Sequence, residues 1–370
     1  MILRDDVLDG IYSKVVDGET PDKDEIIYMY DQADLNLLGE IAGRLARKVS
    51  GQEVSFVSNL ILNYTNICNV RCKFCAFYRN GNEDDAYLMT VEQVVEQIRF
   101  YYEEFGVKQL LIQGGVNPNL SMDYYLDLFS RIRSEYPELG IHGLSTSEIS
   151  FISRKAKLSI PDTLRELSKA GLQTIPGAGA EILDQEVRKM IGRPPMSGFQ
   201  WLEIMEEAHK LGIKSSATMM FGHVENSGNR ADHLLSLVEL QSKHHGFLSF
   251  TPWNFEPGNT KLMENGLVKY RAGGVDILRN IAISRMALNN SIPIIQSSWL
   301  TNGIQMGQMA VIFGANDWGG TIYNEKVIPA TGKKVGNLRK EVIINCLNQI
   351  GMIPVERDNM YRKFRKYAAE

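Results

Sequence analysis

Gln109-Leu110-Leu111-Ile112-Gln113-Gly114-Gly115 is a short apolar run closed by a polar residue and two glycines. A helix is expected behind it, over about Ser121–Glu135. The same unit recurs on both sides. Upstream, Phe56–Leu62 reads as a strand, followed by a long loop to about Met89. Val91, Val94, Val95, Ile98, Tyr101, Tyr102 and Phe105 then recur at helical spacing. Thr90 is the expected N-cap of that helix, with Gln93 at the capping-box position, and Gly106 ends it. Downstream, strands are expected near Ile141–Leu144, Leu172–Ile175, Lys214–Phe221, Phe247–Thr251, Ile292–Gln296 and Met309–Phe313. Helical stretches such as Gly198–Leu211 and Arg230–His245 lie between them.

Short apolar strands alternating with helices imply a parallel sheet covered on both faces, and about eight such units imply an α/β chain closed as a (βα)8 TIM-type barrel. Ahead of it, Val7, Leu8, Ile11, Tyr12 and Val15 form one helical stripe, and Leu35, Leu37, Leu38, Ile41, Leu45 and Val49 another. The expected organisation is therefore a helical N-terminal extension at 1–50 and a barrel with a C-terminal segment at 51–370.

Composition narrows the function. The 370 residues are 44% hydrophobic and 23% charged, with a net charge of −4. That supplies a large core and excludes a disordered chain. The charge balance gives no reason to expect nucleic acid or an anionic membrane as partner. Met1-Ile2-Leu3-Arg4-Asp5-Asp6 places acids before any apolar stretch, which is unlike a secretory signal. No apolar run reaches the roughly 18 residues of a membrane span, so no membrane insertion and a cytoplasmic location are expected.

Polar and glycine-rich clusters follow the strands: Gln113–Asn117, Ser145–Glu148, Gly177–Glu181, Gly222–Glu225, Thr251–Asn254, Ser297–Asn302 and Gly314–Gly320. Glycines at strand ends make turns, which accounts for any one cluster alone. In a βα barrel all seven face one mouth, where active sites are built.

Four cysteines are present, and three of them fall in Cys68-Asn69-Val70-Arg71-Cys72-Lys73-Phe74-Cys75. A disulfide framework would spread its cysteines along a secreted chain. Soft thiolates instead suit an iron–sulfur cluster or zinc. Three can hold three irons of a 4Fe–4S cluster and leave the fourth iron open, whereas structural zinc normally takes four closed ligands. Phe74 would shield one side of such a cluster. Cys346 stands apart and reads as a buried helix residue.

At these cysteines the chain resembles the radical S-adenosylmethionine (radical SAM) superfamily, which carries CxxxCxxC with an aromatic residue before the last cysteine. The resemblance implies a 4Fe–4S cluster on Cys68, Cys72 and Cys75, with S-adenosylmethionine chelated at the open iron. Its one-electron cleavage gives a 5′-deoxyadenosyl radical that abstracts a substrate hydrogen. It also implies that Gln113, Gly114 and Gly115 receive the methionine amino group, that Glu181 lies near the ribose or amino group, and that Tyr78 meets the adenine.

A narrower resemblance covers roughly residues 50–357. Asn63–Arg79, Pro176–Leu183 and Ala217–Glu225 are similar to the group of futalosine cyclases, aminofutalosine synthases and deazaflavin synthases. Thr251-Pro252-Trp253, Pro257–Thr260, Ser298-Trp299 and Phe313–Asp317 favour the cyclase branch. That branch implies a step of menaquinone biosynthesis: hydrogen abstraction at ribose C4′ of dehypoxanthine futalosine, then closure onto its benzoate ring. A one-electron donor such as flavodoxin or ferredoxin is the implied partner. His223 and Asp317 are the expected proton acceptors, the former because imidazole titrates near neutrality. Ser145, Thr251 and Ser298 offer hydroxyls to substrate, and Trp253 and Trp299 offer packing walls. The segment Trp318–Glu325 departs from the group's usual methionine-containing stretch. A noncatalytic iron–sulfur or zinc protein is the reading from another class; the many strand-end clusters disfavour it.

Overall fold

The computed structural model describes residues 5–192 and 196–367; Met1–Arg4, on which the expectation about a secretory signal partly rests, lie outside them. Among the described residues ten strands are formed: β1 Glu53–Val57, β2 Asn59–Leu62, β3 Gln109–Ile112, β4 Gly140–Gly143, β5 Thr174–Ile175, β6 Lys214–Phe221, β7 Phe247–Asn254, β8 Asp317–Gly320, β9 Ile353–Arg357 and β10 Lys363–Lys366. β2 to β7 make one parallel sheet in sequence order. Parallel bridges Phe250↔Ile295 and Gln296↔Asp317 carry β7 across to β8. β8 pairs in parallel with β1, and Leu60↔Tyr323 brings the chain after β8 onto β2. The sheet thus closes on itself, as the alternating βα pattern predicts.

Helices start and stop where side-chain chemistry directs. Thr90 Oγ1 accepts the Gln93 N–H at 3.3 Å and the Gln93 side chain returns to the Thr90 N–H at 2.8 Å, capping Val91–Phe105. Such a cap is worth about 1 kcal/mol. Gly106 ends the helix at φ +62°, a left-handed position that favours glycine. Ser197 and Asn226 make the same reciprocal caps on Gly198–Lys210 and Ser227–His244.

One expected strand is a helix. Met309–Ile312 ends the helix Ile304–Ile312, with Phe313 at its cap. Its apolar residues are sided as in a helix: Ala310 and Val311 are buried, while Met309 and Ile312 are exposed. The eighth strand is Asp317-Trp318-Gly319-Gly320, which has no apolar run. It forms because its backbone pairs with Ser55, Phe56 and Val57.

The N-terminal helices Asp6–Val16, Lys23–Asp31 and Leu35–Ser50 share the barrel's core. Leu8, Ile11, Met29, Leu38 and Leu45 pack with the residues of the helix Gly274–Leu288. Arg279 Nη1 donates to the carbonyls of Met29 and Ala33 at 2.7 Å, and the Tyr30 hydroxyl donates to Asn280 at 2.9 Å. At the other end, β9 lies parallel on β1, and the residues after it turn under the barrel. Among the described residues, no helix is long and apolar enough to cross a membrane.

Candidate active site

A cavity of about 330 Å³ runs inside the barrel. Strand parity selects its walls. Asn59, Ile61 and Asn63, then Gln109, Leu111 and Gln113, then Ser216 and Thr218, then Thr251 and Trp253, alternate inward along their strands. Trp299 and Trp318 complete an aromatic side with Trp253, and Glu181, Ser298 and Glu325 reach it from the loops after the strands. The floor comes from beyond the barrel: Arg357, Asn359 and Tyr361 close it from below.

The cysteine loop follows β2 and is seated on the turn after β3. The Cys68 N–H donates to the Arg79 carbonyl at 2.9 Å, the Asn69 N–H to Val116 at 3.0 Å, and the Gly115 N–H to Thr65 at 2.9 Å. A Cβ on Gly115 would lie 2.2 Å from the Ile67 carbonyl oxygen, and one on Gly114 would lie 2.8 Å from the Tyr64 ring. Glycine is therefore required at both positions for the loop to sit this close. The Arg79 guanidinium gathers the carbonyls of Ala76, Phe77 and Tyr78 while pairing with Asp85, which fixes the turn after Cys75. Cys72 is buried and Cys68 and Cys75 are half-buried; Phe74 packs against the main core and Tyr78 is half-buried.

Glu181 is held in an unusual conformation, with φ +42°, and is buried against the cavity. Arg188 holds it there. Its guanidinium, itself buried, donates to the carbonyls of Gly179, Ala180, Ile182 and Met196 at 2.6–3.2 Å. Four carbonyls on one cation wrap the loop around its charge.

Six of the expected ligand-binding residues line the cavity: Gln113, Glu181, Thr251, Trp253, Ser298 and Trp299. His223, Asp317 and Ser145 do not. His223 Nδ1 accepts the Val224 N–H at 2.8 Å and Nε2 donates to the Met220 carbonyl at 3.0 Å. Burial pushes its pKa below the ordinary value, so the ring is a neutral brace for the turn after β6. Asp317 is committed to Arg357 through contacts of 2.6 and 2.9 Å and to the Ser55 hydroxyl at 2.5 Å. Ser145 caps the helix Thr146–Ala156. His244 pairs with Glu206 at 3.2 Å, and His245 is the left-handed cap of its helix. Cys346 is buried in a separate apolar cluster. Cavity residues that the sequence reading passed over include His142, Gln296, Trp318, Glu325, Arg357 and Tyr361. His142 and Gln296 carried a signal, being polar residues inside otherwise apolar strands; Arg357 and Tyr361 carried none.

Residues 62–237 match the radical SAM superfamily, and residues 244–370 match the CofH/MqnC C-terminal region. A 5-amino-6-(D-ribitylamino)uracil–L-tyrosine 4-hydroxyphenyl transferase of Methanothermobacter thermautotrophicus is 36% identical, over 95% of this chain and 96% of its own. The cyclic dehypoxanthine futalosine synthase of Halalkalibacterium halodurans is 34% identical, over 97% and 96%. The chain is a radical SAM enzyme of the CofH/MqnC family. The aminodeoxyfutalosine synthase of Thermus thermophilus, another relative, is 34% identical over 98% and 97%. The crystal structure of methylornithine synthase (PylB) superposes with a TM-score of 0.73 at 17% identity, over 93% of this chain and 97% of that one, which shows the shared fold.

Membership of the superfamily implies a 4Fe–4S cluster and S-adenosylmethionine. The residues present fit that pair. The three loop cysteines form no disulfide. Among the described residues, no three cysteine, histidine, aspartate or glutamate side chains are grouped to share a single metal ion. Three thiols on one loop match a cluster in which each takes its own iron, whereas a closed tetrahedral zinc site takes four ligands.

Proposed function

We propose that this enzyme cyclises dehypoxanthine futalosine, joining ribose C4′ to the benzoate ring in a step of menaquinone biosynthesis. When bound, the 4Fe–4S cluster and S-adenosylmethionine supply the 5′-deoxyadenosyl radical that takes the C4′ hydrogen. In this reading Cys68, Cys72 and Cys75 hold three irons and Phe74 shields them. Gln113, Gly114 and Gly115 present main chain to the methionyl group, Glu181 accepts from its amino group or ribose, and Tyr78 flanks the adenine. Thr251 and Ser298 face the substrate's hydroxyls, while Trp253, Trp299 and Trp318 wall its ring. A flavodoxin or ferredoxin delivers the electron.

The observation that carries the reading is the cavity itself. Trp253, Trp299 and Trp318 line it together with aliphatic residues such as Ile61, Leu111 and Leu300, and Asn59, Gln113, Thr251, Gln296 and Ser298 set amides and hydroxyls among them. That suits a ligand with an aryl group at one end and a polyol at the other. Arg357, Asn359 and Tyr361 on the cavity floor would help to keep a carbon radical from side reactions.

A tyrosine ring and a ribityl chain would suit the same walls, which is the reading that the hydroxyphenyl transferase relatives favour. Anaerobic incubation of the reconstituted enzyme with S-adenosylmethionine and a reductant separates the two. Dehypoxanthine futalosine is offered in one reaction; 5-amino-6-(D-ribitylamino)uracil with tyrosine is offered in the other. The proposal requires cyclic product in the first and none in the second.

A further inference from the structure

We propose that Glu325 is the base of this cavity, taking the ring proton that must leave when the cyclised adduct regains its aromaticity. The inference rests on the cyclisation reading above.

Three observations on the carboxylate carry it. Glu325 lines the cavity, five residues beyond β8. Its Oε1 is fixed by two backbone donors, Val327 N–H at 2.6 Å and Ile328 N–H at 2.9 Å. Its Oε2 has no hydrogen-bond partner among the described residues, so one lone-pair edge is left for a ligand.

The chain strains itself to deliver it. Ile322 and Asn324 both sit at positive φ, +56° and +63°, a region that β-branched residues rarely adopt. The turn is held from several sides. The Ile322 N–H donates to Asn59 Oδ1 at 2.7 Å, the Ile61 N–H to the Tyr323 carbonyl at 2.9 Å, and Asn324 Nδ2 to the Ile61 carbonyl at 3.1 Å.

The other titratable groups on the cavity are poorly suited to the task. Burial drives His142 down to about 3, and it is braced by Thr174 at 2.8 Å. Burial raises the Tyr361 phenol to about 12, so it holds its proton at neutral pH. Arg357 is committed to Asp317. Glu181 lies on the side given above to S-adenosylmethionine. The charge of Glu325 is felt by the phenol of Tyr87, which burial chiefly raises to about 12; that hydroxyl donates to the Asn63 carbonyl at 2.8 Å, and the Lys326 ammonium lies 4.8 Å from the centre of its ring. Burial makes the Glu325 carboxylate a stronger base than an ordinary one.

The step balances as follows. The C–H bond at the attacked ring carbon breaks, its proton passes to Glu325 Oε2, and its electron pair stays in the ring. One electron then leaves to an oxidised carrier of the iron–sulfur or flavin class, which is thereby reduced.

The test is Glu325→Gln, which keeps an acceptor for Val327 and Ile328, in holoenzyme supplied with S-adenosylmethionine, dithionite and dehypoxanthine futalosine. Cyclic product should form at least about 100-fold more slowly, the usual contribution of a positioned base. Formation of 5′-deoxyadenosine should persist, with an organic radical accumulating in the electron paramagnetic resonance spectrum. Calorimetric binding of dehypoxanthine futalosine to the cluster-free protein should be unchanged, and Glu325→Asp should recover part of the product rate. Unaltered product per 5′-deoxyadenosine in Glu325→Gln, or lost substrate binding, overturns the assignment while leaving the cyclisation reading intact. A wild type that forms no cyclic product removes both.

Discussion

Glu148 holds Gly114: its Oε1 accepts the glycine's backbone N–H at 3.1 Å, tying the helix after β4 to the turn after β3. The same oxygen accepts the Tyr64 hydroxyl at 2.5 Å, and Oε2 accepts the N–H and hydroxyl of Ser145, both at 2.7 Å. Burial raises this carboxyl's pKa while its donors pull it down, and burial prevails. Four donors converge on one side chain directly behind the glycine-rich turn.

Glu148→Gln turns an NH2 group toward donors. It should cost about 1–3 kcal/mol in urea denaturation and weaken S-adenosylmethionine binding by the reconstituted enzyme. An unchanged midpoint together with unchanged affinity would show that the buried carboxylate does not position the turn.

Arg357 and Asp317 are both buried, and the Arg357 guanidinium also stacks on Tyr361 with 3.7 Å to the ring centre. Arg357→Met should destabilise the protein by about 3–5 kcal/mol, because Asp317 is left charged and without its partner in the barrel. Adding Asp317→Asn should recover part of that loss. A double-mutant cycle read by denaturant midpoints checks this, and additive losses would contradict it.

Four of the six histidines, His142, His209, His223 and His233, have pKa values pushed below the ordinary 6.5 by burial. As pH falls, the unfolded chain takes up these protons first. Stability is therefore full above pH 6.5 and is lost as pH drops below it, by up to about 1.4 kcal/mol per pH unit for each histidine. Glu148 and Glu325, raised by burial, work in the opposite direction but are only two. The thermal midpoint should fall between pH 6.5 and 5, and His142→Gln should make the fall shallower. A midpoint that is flat or rises over that range would contradict the neutral-histidine assignment.

Cys68→Ala, Cys72→Ala or Cys75→Ala should each abolish cleavage of S-adenosylmethionine and lower bound iron and sulfide. Cys346→Ala should do neither, since its thiol is packed among Ile343, Leu347 and Val54. Iron and sulfide content after anaerobic reconstitution is the measurement.

The barrel was legible because each βα unit repeats the same change, from a short apolar run to helical spacing. Asp317–Gly320 escaped because its strand conformation is imposed by Ser55–Val57 and not by its own residues. The cysteine loop stood out in the sequence because three of the four cysteines fall at a fixed local spacing. His223 and Asp317 looked catalytic because of residue type and position, yet both are consumed by local bonds that only the folded chain displays. The cavity walls follow a rule visible in the sequence: Ser216 and Thr218, or Thr251 and Trp253, alternate with Ala217 and Pro252. The floor follows no such rule, since Arg357 and Tyr361 arrive from outside the repeat.

The most direct test uses dehypoxanthine futalosine carrying deuterium at ribose C4′, with reconstituted enzyme, S-adenosylmethionine and a reductant under anaerobic conditions. The account predicts 5′-deoxyadenosine bearing that deuterium, formed alongside the cyclic product. Unlabelled 5′-deoxyadenosine, or labelled substrate returned unchanged, would contradict it.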